Sequence, residues 1–298
     1  MGDLIQLVLS GLALGAIYAL IALGFVVIYR ASQVFNFAQG ELLSVGAFVM
    51  VQASGWKLPW PLAVAATMLA TGVLAAGIER GVMRPLVGRP VFVSAILTIF
   101  VGFFLRAMLI ILWGVEPRGM PTPWETTAAV TLGGAQVLVN SLASVGAGGV
   151  ALVSFFLVMR YTKLGVAMRA ASHDQEAALA HGIPVGRVLG ATWFLSGLFA
   201  GLGGVFLGMF PNSVDPNIGY IALRAFPAVI LGGLESASGA VIASFLLGVL
   251  EVLAQAYLNP RMGEFGHNFH AVFPYLAMIL VLIVRPHGLF GRAEVERV

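Results

Sequence analysis

Residues 4–29 contain 26 consecutive side chains without a charge. As a helix that run is roughly 39 Å long, enough to cross a bilayer with some tilt. It has no basic segment before it and far exceeds a signal-peptide core, so it is expected to stay as the first span. Further apolar runs occupy residues 60–78, 91–113, 137–159, 188–210, 237–257 and 271–284. Residues 36–54 are long enough to cross but begin polar, and 221–234 are apolar but short. Charged residues make up only 10% of the chain, against about 25% in soluble domains. The expected fold is therefore an all-α polytopic membrane protein forming a single transmembrane domain over residues 1–298. It should hold about eight ordinary transmembrane helices plus one short or broken crossing.

Basic residues orient these spans. With the N-terminus outside and the C-terminus inside, the inner segments carry eleven, from Arg30, Arg80, Arg84 and Arg89 to Arg285, Arg292 and Arg297. The outer segments carry three: Lys57, Arg118 and Arg261. Positive charge collects on the cytoplasmic side, so the excess fixes the orientation and accounts for the +3 net charge without nucleic acid as a partner. Residues 114–136 form the largest external loop, rich in Pro, Thr and Gly, with room for a small hairpin. Cysteine is absent, which removes disulfides, thiolate metal sites and cysteine nucleophiles.

Two kinds of polar interruption stand out. The cytoplasmic loop at 160–187 gathers Arg160, Lys163, Arg169, His173, Asp174, Gln175, Glu176, His181 and Arg187. Its core, 172–181, reads as a helix of about three turns. Ser172 is its expected N-cap, Asp174 and Glu176 lie in the first turn, and Gly182 and Pro184 stop it. Such a helix between two spans is either an ordinary solvated loop or a handle for another protein. The second interruption is Asn36, Gln39 and Glu41 at the start of 36–54, which reads as a broken or cavity-lining helix. If Glu41 lies deep it needs a partner, a proton or water, since a central carboxylate costs about 2.5–3.5 kcal/mol. If it lies near the cytoplasmic interface it is a boundary charge.

Gly40-Glu41 before Ser44-Val45-Gly46-Ala47 echoes Gly233-Leu234-Glu235 before Ser236 to Ala240. Paired interruptions, one in each half, are how inverted-repeat transporters build a midplane site. Gly11, Gly15 and Ala19 make a small-residue stripe for close helix packing, as do Gly197, Gly201, Gly203, Gly204 and Gly208. Arg106, inside the fourth span, either snorkels or pairs.

No HExxH, Cys/His metal spacing, GxSxG or GxxxxGK[ST] occurs, and neither Lys57 nor Lys163 sits in a phosphate loop. The chain thus has no P-loop of its own. His267 and His270 read as an external polar turn.

Residues 11–48, GLALGAIYALIALGFVVIYRASQVFNFAQGELLSVGAF, closely resemble the N-terminal signature of permease subunits of branched-chain amino acid ABC importers. GYIALRAFPAVILGGLESASGAVIASFLLGVLE resembles that family's second-half signature, and AMRAASHDQEAALAHGIPVGRV its cytoplasmic coupling loop. Within the loop, Glu176, Ala177 and Ala178, with Gly182 four residues on, match the start of the ABC-permease coupling motif. The three blocks, in order, cover nearly the whole chain.

The resemblance implies a helical bundle with pseudo-twofold halves and one of two related permeases that together form the channel. Two cytoplasmic ABC ATPases would dock on the helix from Ser172 to Gly182, with Glu176 and Gly182 shaping the contact. A periplasmic substrate-binding protein would deliver the solute. No cofactor would be bound by this chain, and ATP would be hydrolysed by the partner subunits, driving alternating access in the bacterial inner membrane. Asn36, Gln39, Glu41 and Glu235 are the expected substrate path. The family also takes in urea and short-amide permeases. An ion-coupled secondary transporter would explain buried acids but not a docking helix. A passive channel would need no ATP, and an embedded enzyme lacks a visible catalytic set.

Overall fold

The computed structural model describes residues 2–132, 134–209, 213–266, 268–286 and 288–291. Arg292, Arg297 and His267 lie outside the described residues, as do three positions of the connection after 208. The protein is mostly helical. The helices are α1 (Gly2–Ser32), α2 (Gln39–Gly55), α3 (Trp60–Ile78), α4 (Val91–Trp113), α5 (Val139–Tyr161), α6 (Lys163–His173), α7 (Gln175–Ala180), α8 (Val185–Gly208), α9 (Ile218–Ile221), α10 (Phe226–Gly232), α11 (Ala237–Leu253) and α12 (Phe269–Val284). A π turn and a 3-10 turn extend α3 to Leu86, and a 3-10 stretch joins α9 to α10 as one broken helix, Ile218–Gly232.

Among the described residues, six helices are long and apolar enough to cross a membrane: Leu4–Ser32, Trp60–Leu86, Val91–Trp113, Val139–Tyr161, Val185–Gly208 and Ala237–Gly263. Ile218–Gly232 and Phe269–Val284 are shorter apolar helices, and α2 has 17 residues. Each expected span is thus a helix. Six of them, where eight were expected, have ordinary length, because α2 and α12 are cut short.

The first apolar run is also the centre of the bundle. Ala16 to Ile28 is almost wholly buried, as a helix apolar on every side should be when other helices surround it. Close approach needs small residues, and α1 supplies them. A Cβ on Gly11 would lie 2.6 Å from Val249 Cα, and one on Gly15 2.7 Å from Phe245 Cα, so the stripe seats α11. The α8 glycines do the same on two sides. Gly197 and Gly201 admit α3, while a Cβ on Gly204 would collide with the Leu43 carbonyl of α2. Gly204→Leu should therefore force α2 and α8 apart and cost about 1–3 kcal/mol or more. Gly77→Leu, at a position with open space, should cost far less. Thermal unfolding in detergent compares them, and equal midpoints would refute this packing account.

The external loop folds back as the hairpin β1 (Ala129–Leu132) and β2 (Ala135–Leu138), which leads straight into α5. Arg118 and Val214 exchange backbone hydrogen bonds of 2.9 and 2.8 Å, tying this loop to the segment after α8.

Both interrupted segments start inside the bundle. After Ser32 the chain turns at Gln33 (φ 56) and runs non-helically to Ala38. Gln39 then bonds Ser196, the twelfth of the 24 residues of α8, so α2 begins at about mid-height. The broken helix Ile218–Gly232 starts against it: a Cβ on Gly40 would lie 2.5 Å from the Gly219 carbonyl oxygen, and one on Gly219 2.7 Å from that of Gly40. Two helix starts thus meet backbone to backbone, one from each half of the chain. The structure pairs Gly40 with Gly219, not with Gly233, so the echoed Glu41 and Glu235 are not brought together.

Candidate functional site

The central polar loop is two helices. Thr162 caps α6 by accepting a hydrogen bond from Gly165 N (3.1 Å), and Arg169 donates to the Met159 carbonyl. The N-cap of α7 is Asp174, not Ser172. Asp174 holds the extended backbone a cap requires (φ −159, ψ 111), and its Oδ1 accepts from Glu176 N and Ala177 N, both at 2.9 Å. Ser172 lies inside α6, where its hydroxyl donates to the Arg169 carbonyl. The helix after the cap is six residues long, shorter than the three turns expected.

The stop is as expected. Ile183 N donates to the Ala178 carbonyl and Gly182 takes φ +79, the left-handed closing turn that suits glycine. Asp174→Ala should cost α7 about 1 kcal/mol and speed amide exchange at Glu176 and Ala177. Ser172→Ala should leave those two amides unchanged. Exchange followed by mass spectrometry reads both, and the reverse pattern would restore Ser172 as the cap.

This turn is anchored to the bundle and open on its outer face. Gln175 Nε2 donates to the Ala31 carbonyl (2.7 Å) at the end of α1, and Ala178 is buried. Glu176, Ala177, Ala180 and Gly182 are exposed. So is Leu179, at 56% of its surface. Sequence reasoning overlooked Leu179, although an apolar residue on a solvated six-residue helix was a usable sign.

The four expected path residues separate. Asn36 and Gln39 are completely buried and serve the unwound backbone. Asn36 Oδ1 accepts from Ala38 N (3.1 Å), and Asn36 Nδ2 donates to Gln39 Oε1 (3.3 Å), which also accepts from Ser196 Oγ (2.8 Å). On the other flank Thr98 Oγ1 accepts from Phe37 N (3.1 Å). Irregular backbone at depth requires such partners. Glu41 is deep, and its partner is Arg106, at 3.6 Å; its Oε2 is buried with no hydrogen-bond partner among the described residues. Arg106 therefore pairs, and it also bonds Asn217 Oδ1 (2.5 Å). Glu235 is exposed in the turn before α11. It accepts from Gln33 Nε2 (3.3 Å) and shares a polar recess with Arg30 and with Arg169 and Ser172 of α6.

A second charged cluster was not anticipated. Glu251, buried inside α11, accepts from the Tyr18 hydroxyl (2.7 Å) and pairs with Arg224 of the broken helix (3.4 Å). Its members are 233 and 27 residues apart in sequence, so no local period exposed it. No group of three or more His, Cys, Asp or Glu side chains among the described residues could hold a metal.

Comparison with known proteins places this geometry. A family model described as the permease component of branched-chain amino acid transport systems matches residues 7–282. The high-affinity branched-chain amino acid permease LivH of Salmonella typhimurium is 32% identical over 99% of this chain and 97% of its own. BraD of Pseudomonas aeruginosa, a permease of the same description, is 29% identical over 99% and 98%. The guanosine ABC transporter permease NupQ of Bacillus subtilis is 27% identical over 99% and 96%. Among solved structures, PsaBC from Streptococcus pneumoniae in complex with Fab is alike in fold, with a TM-score of 0.50 over 95% of this chain and 91% of that one, at 12% identity.

Proposed function

The chain belongs to the permease family of branched-chain amino acid transport systems, and on that premise we propose that its solute is a branched-chain amino acid. It is a multi-pass membrane permease subunit of an ABC importer. The observation that carries the solute is the near-full-length match to permeases described for these amino acids.

The rest of the machine follows from the same premise. A second, related permease completes the channel. Two cytoplasmic ATPases grip α7 on its exposed face, at Glu176, Ala177, Leu179 and Gly182, and hydrolyse the ATP. This chain binds no cofactor and catalyses nothing itself. A periplasmic binding protein loads the outer side. Six long and three shorter helices make nine passages in a bacterial inner membrane, N-terminus outside and C-terminus inside. The excess of inner basic residues supports that orientation. The backbone contact between Gly40 and Gly219, one from each half, supports pseudo-repeated halves.

Reconstitution with both permeases, the ATPase and the binding protein in liposomes tests this reading. Labelled leucine should enter only with ATP and binding protein, and urea and guanosine should not. Preference for either of those would reassign the solute. Leucine uptake without ATP would return the chain to a secondary transporter or channel.

A further inference from the structure

A guanidinium at membrane depth is costly unless protein or water faces it. Arg224 lies at that depth. It shares Glu251 with Tyr18, and Tyr18 is the central residue of the 29-residue span Leu4–Ser32. Yet 35% of the Arg224 side chain is exposed, while Glu251 behind it is 3% exposed. One turn earlier on the broken helix Tyr220 is 54% exposed, with the Arg106 guanidinium 4.0 Å over its ring. Between them Leu223 is 39% exposed, and its carbonyl accepts from the Tyr275 hydroxyl (3.1 Å). The open side of this helix therefore presents Tyr220, Leu223 and Arg224, and Arg106 of α4, 14% exposed, leans over the Tyr220 ring; both cations are backed by a carboxylate, Glu41 or Glu251. The exposed face of α4 is different in chemistry, presenting Phe100, Phe103, Phe104 and Ile111.

We infer that the stripe Arg106–Tyr220–Arg224 lines the solute's path and that Arg224 meets the carboxylate of the passing amino acid. The role of Arg224 rests on the amino acid reading of the preceding section. A guanidinium has five N–H donors in a fixed fork suited to a carboxylate, and the pair with Glu251 engages one of its terminal nitrogens. Glu251, itself held by Tyr18, positions the fork and offsets its charge. That suits transport, in which a solute must be held weakly enough to leave. Asn36 and Gln39 are enclosed and bond Ala38, each other and Ser196 of α8 rather than facing this surface.

The chain has no cysteine, so single cysteines are clean probes. In the full complex in liposomes, Tyr220→Cys and Leu223→Cys should react with a water-soluble thiol reagent at least tenfold faster than Ile111→Cys and Val153→Cys. Leucine delivered by the binding protein during ATP turnover should slow the reaction at 220. Adding Arg224→Lys, which keeps the charge but loses the fork, should leave residue 220 reactive, abolish that protection and lower leucine uptake at least tenfold. Reactivity at 220 no greater than at the two controls overturns the path. Protection and uptake that survive Arg224→Lys overturn the role of Arg224. A wild-type complex that imports no leucine overturns the amino acid reading and with it that role, while the labelling still decides the path.

Discussion

Gly182→Trp is expected to leave the permease folded in the membrane and to reduce co-purification of its ATPase at least tenfold, with transport lost in step. The fold should survive for two reasons. A Cβ at Gly182 would meet nothing within 4 Å among the described residues, and the turn is exposed, so a larger side chain has solvent to enter. The positive φ of 79° costs a non-glycine residue roughly 1–2 kcal/mol, less than the stability of a typical domain. The proposed ATPase contact should have no such tolerance. Gly182 closes α7 beside the exposed Leu179 and Ala180, and an indole there would stand between the turn and whatever packs on it. Tenfold weaker binding needs only about 1.4 kcal/mol. Gly182→Asn, which accepts a left-handed backbone and adds little bulk, should retain most of the association. Unchanged co-purification and transport in the Trp variant would remove α7 from the ATPase contact.

Most of the spans could be read in the sequence because they are long apolar runs, and the structure places a helix in each of them and in the shorter, interrupted segments as well. The small-residue stripe at Gly11 and Gly15 was equally readable, since such a stripe lets another helix approach closely, and α11 does. The stop at Gly182 was local chemistry and held. The cap was misplaced for an instructive reason: Ser172 and Asp174 are both good caps, and the choice depended on α6 continuing through 173, a helix whose polar face made it look like loop. The path residues failed to group because depth is a tertiary property. Asn36, Gln39 and Glu41 are deep only because the chain re-enters the bundle after Gln33, and Glu235 is shallow because α11 starts directly after it. Arg106, Arg224 and Glu251 were visible as charges in apolar runs, but their partners come from other helices, and a single sequence does not pair them.

Glu251→Leu is expected to destabilise the bundle by about 3 kcal/mol, the lower end of the range for removing one partner of a buried pair. The lower end applies because Arg224 keeps 35% of its side chain exposed and is partly screened. The Tyr18 hydroxyl has no such relief: Tyr18 is fully buried, and without Glu251 its donor loses its acceptor. Tyr18→Phe alone should cost about 1.5–3 kcal/mol, the worth of a hydrogen bond to a charged group. Combined with Glu251→Leu it should cost much less than the sum, because the second change removes the orphaned hydroxyl the first created. The expected coupling is about 0.5–3 kcal/mol. Glu251→Gln, which still accepts from Tyr18, should fall between wild type and Glu251→Leu. Thermal unfolding of the solubilised protein measures all four. Strict additivity would mean that Tyr18 and Glu251 do not act as a unit, and α1 would then be joined to the Arg224 segment by packing alone.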